Sequence, residues 1–457
     1  MKRSLAGEQI GVLGLARSGL AAARLALSRG ATVYASDAGD TESARAAAED
    51  VRRLGGEAET GGHDVARLAA CDRIVLSPGI PPGASILGEA ALRGVPVVAE
   101  VELACEQLES VVIAVTGTNG KTTVTALIAH LLEGAGMHAV AGGNIGTAVS
   151  ELAMAEPQPD IVVLEVSSFQ LSRLESFAPA IGVLTNLAPD HQDWYESVDL
   201  YYADKARLFR NATPASVWVL NGEDGEAREL PGDAAGTRYH FRIETPLAPG
   251  ERGGYLADDG WLVLDLGNGE ERVIDRSELK ILGPHNVANA LTATIAARLQ
   301  GASIAAISSG LRTFGSLPHR MEPVGESGGV LWVNDSKATN IASTRVAVRS
   351  MDRPVVLLLG GKHKGEPYRE LLPELGAQVR SVIAYGDAAG RIVDDLAGYA
   401  EVVRVDGDFG AVVSRAREIA QPGDAVLLSP ACSSYDMFRS YEERGDHFRR
   451  LAMEGGA

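Results

Sequence analysis

Cysteine is scarce in this 457-residue chain: Cys71, Cys105 and Cys432 stand far apart, with no CxxC spacing. That excludes a disulfide framework and the usual zinc-ligand pattern. Aromatic residues make up only 5%, and no apolar run reaches the ~18 residues a membrane-spanning helix needs. Positive charge is also short. Lys and Arg total 42 against 60 Asp and Glu, for a formal net charge of −18. Such a surface repels nucleic acid and anionic membrane, so a polyanionic substrate must find a locally basic cleft. The opening Met1-Lys2-Arg3-Ser4-Leu5 has the basic start of a secretion signal, but Glu8, Gln9 and a strand-like segment follow without a cleavage site. The chain is therefore expected in the cytoplasm.

Hydrophobic residues at 46% and charged residues at 22% are ordinary for a globular protein. The length predicts about three domains. IGVLG (10–14), a helical stretch to Gly30 and ATVYASD (31–37) read as strand, turn, helix, strand; RIVLSPGI (73–80) adds a buried strand. A second such series starts at VVIAVTGTNGKTT (111–123) and runs through IVVLEVSSFQL (161–171), IGVLTNLAPDH (181–191) and SVWVLN (216–221). Residues 243–281 alternate like hairpins and read as a β insertion. Further apolar strands at 329–335, 353–361, 381–386 and 424–430 form a third series. The expected architecture is α/β with three domains in series, 1–99, 100–316 and 317–457. The first and last are Rossmann-like, and the middle one is a P-loop ATPase-type parallel sheet carrying the insertion.

The strongest motif is Thr116-Gly117-Thr118-Asn119-Gly120-Lys121-Thr122-Thr123, between an apolar strand and a helical pattern. Glycines there let backbone N–H groups curl toward phosphate oxygens, and the following helix adds its dipole. Lys121 would neutralise β/γ-phosphate charge and the Thr122 hydroxyl would reach Mg²⁺, although the full pattern has Gly where this chain has Val115. Glu165, ending the apolar run IVVLE, stands where Mg²⁺ is held beside such a loop; otherwise it caps a turn. His191 is open between a structural and a ligand role. Gly14-Leu15-Ala16-Arg17-Ser18-Gly19, with Asp37 downstream, imitates a dinucleotide fingerprint whose middle glycine is Ala16. NAD, another nucleotide-linked ligand and a plain structural turn all remain open there. His285, Asn286 and Asn289 open a helix, where simple N-capping would explain them. Arg320, Asp335, Lys337, Thr339 and Asn340, with Lys362, His363 and Lys364, crowd the strand ends of the last third.

Taken together, TGTNGKTT, LEVSSFQL, NLAPDH, YADKARLF, GPHNVANA, LPHRME, NDSKATN and SPACSSYDMF resemble the Mur ligase family of peptidoglycan synthesis, in the same order and along essentially the whole chain. The combination is most similar to the member that joins D-glutamate to UDP-N-acetylmuramoyl-L-alanine, through ATP-driven formation of an acyl phosphate. The resemblance implies ATP on Gly117, Thr118, Asn119, Gly120, Lys121, Thr122 and Thr123, with Asn286, Asn289, Arg320 and Asp335 around the adenosine and Lys337 near the phosphates. It implies two Mg²⁺ ions, held by Thr122, Glu165, His191 and a Lys205 carbamylated by CO₂. From the residues alone, Lys205 reads as an exposed helix lysine. The UDP-substrate falls to Arg17, Ser18, Asp37, Gly79, Asn144 and His191, and D-glutamate to Thr339, Lys364, Ser434 and Tyr441, with Lys362 an alternative to Lys364. A monomer is expected. Competing readings are a sister ligase with another amino acid or folate, a nucleotide switch without ligation, and a nicotinamide oxidoreductase.

Overall fold

Apolar runs such as Ile161–Glu165 and Val355–Gly360 are buried along their whole length. Strands of that kind need cover on both faces, which helices flanking a parallel sheet provide. The computed structural model describes residues 3–80, 84–92, 94–191, 194–376 and 378–454. By contact the chain divides into two compact units. One comprises Met1–Pro189, Trp194–Val273 and Ala290–Gly310; the other comprises Asp190–Asp193, Ile274–Asn289 and Leu311–Ala457.

The first unit begins with β1 (Gln9–Leu13), β2 (Thr32–Asp37), β3 (Glu57–Thr60), β4 (Arg73–Leu76) and β5 (Val97–Ala99). They form an all-parallel sheet in the order β3-β2-β1-β4-β5. The turn after β1 depends on glycine: a Cβ on Gly19 would lie 1.8 Å from the Gly14 carbonyl oxygen. Next come β6 (Val111–Thr116), β7 (Ala139–Gly143), β8 (Ile161–Glu165), β9 (Ile181–Leu184) and β10 (Val217–Asn221). With β11 (Thr237–Arg242), β12 (Gly253–Leu256), β13 (Trp261–Asp265) and β14 (Glu270–Asp275) they make one nine-stranded sheet, ordered β14-β13-β12-β11-β10-β9-β6-β8-β7. The predicted β insertion is present but is no separate lobe. Its strands extend the sheet, which turns mixed where β12 and β13 run antiparallel. The parallel order expected of the central sheet holds from β7 through β12.

The second unit carries β15 (Glu322–Ser327), β16 (Val330–Asn334), β17 (Val355–Gly360), β18 (Val379–Tyr385), β19 (Val402–Arg404) and β20 (Ala425–Leu428). Their order is β15-β16-β20-β17-β18-β19, with only the edge pair β15/β16 antiparallel. Helices cover both faces; one side packs Trp332 against Phe448 with ring centroids 5.8 Å apart. All three cysteines are free thiols, Cys71 and Cys105 half-buried and Cys432 buried. Among the described residues no helix is long and apolar enough to cross a membrane.

Candidate active site

Strand β6 ends at Thr116, and the helix Lys121–Gly134 begins after a loop of four residues. Two glycines make that turn: Gly117 at φ +141° and Gly120 at φ +84°, conformations L side chains rarely adopt. A Cβ on Gly117 would also fall 2.0 Å from Thr185 Oγ1. Val115, where the longer motif has glycine, is a buried strand residue, so the loop simply starts later. Residues beyond β9 hold the loop in shape. Thr118 N–H donates to the Asn186 carbonyl (2.9 Å), Asn119 N–H to Asn186 Oδ1 (2.9 Å) and Thr185 Oγ1 to the Asn119 carbonyl (2.6 Å). Lys121 Nζ donates to the Gly117 and Thr118 carbonyls at 2.9 and 2.8 Å, which keeps the cation on the loop it would share with a polyphosphate.

Glu165 ends β8, directly paired with Val115 of β6, and is 3% exposed. Its Oε2 accepts from Thr122 Oγ1 at 2.6 Å and its Oε1 from Asn144 Nδ2 at 2.8 Å. Asn144, expected toward the UDP-substrate, thus holds the carboxylate against the loop. Two hard oxygens this close at a helix N-terminus suit Mg²⁺. Among the described residues no group of three or more His, Cys, Asp or Glu is arranged for a metal, so any ion here relies on the Thr hydroxyl as well.

Lys205 corrects the residue-level reading. It is 1% exposed, not a surface lysine. Tyr201 and Lys205 lie one turn apart on the helix Val198–Ala206, and that face packs on the phosphate loop. Tyr201 OH lies 3.2 Å from Thr118 Oγ1, and Lys205 Nζ donates to the Gly117 carbonyl at 2.7 Å while standing 4.6 Å above the Tyr201 ring. The segment that bears His191, Asp190–Asp193, groups with the second unit. The residue has φ +55°, its N–H donates to Asp190 Oδ1 (2.8 Å) and its Nε2 stands 3.8 Å from Asp190 Oδ2.

In the first sheet, Arg17 is exposed at the first position of the helix Arg17–Ser28, with Ser18 half-buried beside it. The helix has no side-chain cap, so its leading N–H groups suit an anion. Asp37 accepts from Leu15 N–H (2.7 Å) and Gly39 N–H (2.8 Å), which fixes the turn. Gly79 is exposed past the end of β4.

The second unit gathers its polar residues at the carboxyl ends of β16, β17 and β20. Asp335 is buried, accepts from Ser429 Oγ (2.9 Å) and Met321 N–H (3.1 Å), and burial pushes its pKa up to about 7, which Arg320 and Arg444 oppose. Lys337 Nζ lies 3.8 Å above the Tyr441 ring, so Tyr441, expected in the amino-acid pocket, sits against the lysine expected near phosphates. Asn286 and Asn289 are buried and do not cap their helix, which already starts at Pro284. Asn286 Nδ2 donates back to the Leu282 carbonyl (2.7 Å), and Asn289 Nδ2 donates to Asn286 Oδ1 (2.9 Å). Thr339 and Lys364 are half-buried and Ser434 is buried, whereas Lys362 is exposed. Asn340 caps the helix Ile341–Arg349 and donates to Asp190 Oδ2 at 3.1 Å.

Sequence reasoning missed Arg444. It is fully buried, and its guanidinium donates to Ser336 Oγ and to the carbonyls of Ser336, Cys432 and Ser433 at 2.8–3.4 Å. It was also silent on Thr185, Asn186 and Tyr201; TNLAPDH and YYADK contain them, but nothing local shows that they meet the phosphate loop.

Three family profiles match the chain: "Mur ligase MurD-like, N-terminal domain" over residues 8–99, "Mur ligase middle domain" over 115–297, and "Mur ligase, glutamate ligase domain" over 319–432. Proteins named UDP-N-acetylmuramoylalanine–D-glutamate ligase are similar over their full length. That of Pelotomaculum thermopropionicum is 38% identical over 99% of both chains, and that of Rubrobacter xylanophilus 42% identical over 96% of this chain and 97% of its own. Among solved structures, a pseudomurein peptide ligase type C from Methanothermus fervidus shares the fold at TM-score 0.61 and 19% identity, covering 97% of this chain and 99% of its own. A UDP-N-acetylmuramate-alanine ligase from Thermotoga maritima does so at TM-score 0.59 and 19% identity, covering 98% and 99%.

Proposed function

This chain belongs to the Mur ligase family, and on that footing we propose that it is the ATP-dependent ligase that joins D-glutamate to UDP-N-acetylmuramoyl-L-alanine in cytoplasmic peptidoglycan precursor synthesis. Full-length similarity to relatives of that name supports the substrate pair. The observation that carries the chemistry is the Thr122–Glu165 contact at 2.6 Å beside a phosphate loop with Lys121 folded onto it. A nicotinamide role for the first crevice loses its ground: both Asp37 oxygens are engaged, one with the Leu15 N–H of the turn after β1 and one with the Gly39 N–H.

The reaction has two covalent steps. The substrate carboxylate attacks the γ-phosphorus of ATP, and ADP leaves. The amine of D-glutamate then attacks the acyl phosphate, its C–N bond forms, the C–O bond to phosphate breaks, and the amine gives up a proton. Joining two anions is the difficulty, so the protein must supply positive charge along the transferring group. Lys121 and the N–H groups of the loop do this for the phosphates. Thr122 and Glu165 would hold Mg²⁺, which when bound neutralises charge on the phosphate oxygens. For a second ion we propose His191 and a carbamylated Lys205. A carbamate nitrogen keeps one hydrogen, enough for the bond to the Gly117 carbonyl, while its oxygens add anionic donors. We further propose that Arg17, Ser18 and Gly79 receive the uridine diphosphate, that Asn286, Asn289, Arg320, Asp335 and Lys337 serve ATP, and that Thr339, Lys364 and Ser434 take D-glutamate. We also propose the domain limits 1–99, 100–316 and 317–457; the support for them is that the strands of each sheet lie within one of the three ranges.

The test is amino-acid-dependent phosphate release with ATP, Mg²⁺ and UDP-N-acetylmuramoyl-L-alanine, comparing D-glutamate with L-glutamate, L-lysine and meso-diaminopimelate. Release with D-glutamate alone is the expected result. Release with another amino acid would reassign the pocket but keep the chemistry, and release without any amino acid would overturn the ligase reading.

A further inference from the structure

Two consecutive residues of the loop after β17 are tied to two consecutive residues of the loop after β20. Lys362 and Ser433 pair through their backbones, N–H to carbonyl at 2.9 and 3.2 Å. One residue on, His363 Nδ1 lies 3.1 Å from Tyr368 OH, and the same hydroxyl lies 2.9 Å from Cys432 Sγ. The next residue along each loop is one proposed for D-glutamate, Lys364 and Ser434. From the far side, Arg444 grips the carbonyls of Cys432 and Ser433.

The direction of this relay follows from its chemistry. Burial pushes the Cys432 thiol up to about 11 and the Tyr368 phenol higher still, and it lowers the His363 imidazole, so all three groups are neutral at pH 7. The phenol is the strongest neutral donor of the three and an imidazole nitrogen the strongest acceptor, so Tyr368 O–H donates to Nδ1 and Cys432 S–H donates to the phenol oxygen. The imidazole proton is then on Nε2. That atom is buried with no hydrogen-bond partner in the protein. A buried donor left unmatched is costly, and glycines at 360, 361 and 365, all at positive φ, flank the segment that bears it.

We infer that the Cys432–Tyr368–His363 relay is the positioning device of the amino-acid site, setting Lys364 against Ser434 and presenting the Nε2–H of His363 to a carboxylate of the incoming dicarboxylic amino acid. This rests on the ligase reading and on the assignment of Lys364 and Ser434. It also explains why Lys364, rather than Lys362, is the lysine for the task. Lys362 is committed by its backbone to Ser433 with its side chain outside, whereas Lys364 is close enough to Cys432 to lower that thiol's pKa.

Steady-state kinetics of the full-length enzyme test it. Tyr368→Phe removes both hydrogen bonds at nearly constant volume. The KM for D-glutamate should rise about tenfold, the scale of one or two lost hydrogen bonds, while kcat and the KM values for ATP and UDP-substrate stay within about twofold. Cys432→Ser keeps an O–H donor and should remain near wild type. An unchanged D-glutamate KM, or a uniform loss across all constants, would overturn the positioning role. If Tyr368→Phe fails to fold, His363→Ala, which truncates a half-exposed loop residue, gives the same reading. A wild type that accepts a different amino acid overturns the D-glutamate reading and leaves the relay to be judged on that substrate's KM. A wild type that uses no amino acid overturns both.

Discussion

Burial raises the Asp335 pKa to about 7, against the lowering effect of the hydrogen bonds it accepts from Ser429 and the Met321 amide. In the unfolded chain an aspartate titrates near 3.9. The folded state therefore binds more protons between those values, and the stability contributed at low pH is lost as pH rises through about 4 to 7. Asp335→Asn removes this dependence. Denaturant titrations at pH 5 and pH 8 should show wild type losing about 2.5 kcal/mol more than the variant over that interval; equal losses would place the proton elsewhere. Lys205 makes the opposite kind of prediction. Lys205→Ala should keep nucleotide binding but lose phosphate release by at least ~100-fold, with partial recovery in added short carboxylate or bicarbonate. Absence of recovery in a folded, ATP-binding variant would count against the carbamate. Asp335 was legible because it sits inside NDSKATN. The burial of Lys205 was not, since its partner, the Gly117 carbonyl, is 88 positions away. Arg444 was invisible for the same reason, in a helix whose sequence YEERGDHFRR looks solvated.

At the scale of elements, the strands that the sequence displayed are mostly interior ones. β1, β6, β8, β17 and β20 are flanked on both sides and read as unbroken apolar runs. Those that escaped notice are β3, β5, β7, β15 and β19, and each is at or next to a sheet margin. β3 is EAET, and nothing in it is fully buried. A margin strand is satisfied on one side only, so it has less need of an apolar sequence. β11, TRYHFR, is the interior exception, parallel to both neighbours and one strand inside the β12/β13 pair where the sheet turns antiparallel. The turns were far easier to read because glycine is forced there. Gly117→Ala should abolish nucleotide binding measured calorimetrically, since φ +141° and a 2.0 Å approach to Thr185 Oγ1 both forbid a Cβ. Gly19→Ala should leave the ATP loop intact yet destabilise the first sheet by ~1–3 kcal/mol, the usual scale of overpacking, visible as a lower melting temperature. Nucleotide binding by Gly117→Ala at wild-type strength would show that this loop is not the ATP site.

Each of the three sheets carries its unusual residues at the carboxyl ends of its own strands. Gly14, Asp37 and Gly79 follow strands of the first sheet, Gly117, Asn144 and Glu165 those of the second, and Asp335, Gly361 and Ala431 those of the third. That is the end where α/β sheets bind ligands, and it makes the order of motifs along the chain intelligible as one theme repeated. A net charge of −18 spread over such a molecule makes local cations decisive. Arg17→Ala, an exposed change with no packing cost, should raise the KM for the UDP-substrate several-fold and leave the melting temperature within about 1 °C; an unmoved KM would remove Arg17 from the site. The thiols described with the fold have a last use. Cys71 and Cys105 belong to the first unit and Cys432 to the second, and burial raises the pKa of each. Chemical labelling must therefore wait for the surrounding structure to breathe. The rates at which a slow thiol reagent marks the three sites become separate clocks for the two units, with the Cys432 clock slowing when the amino-acid loop is occupied.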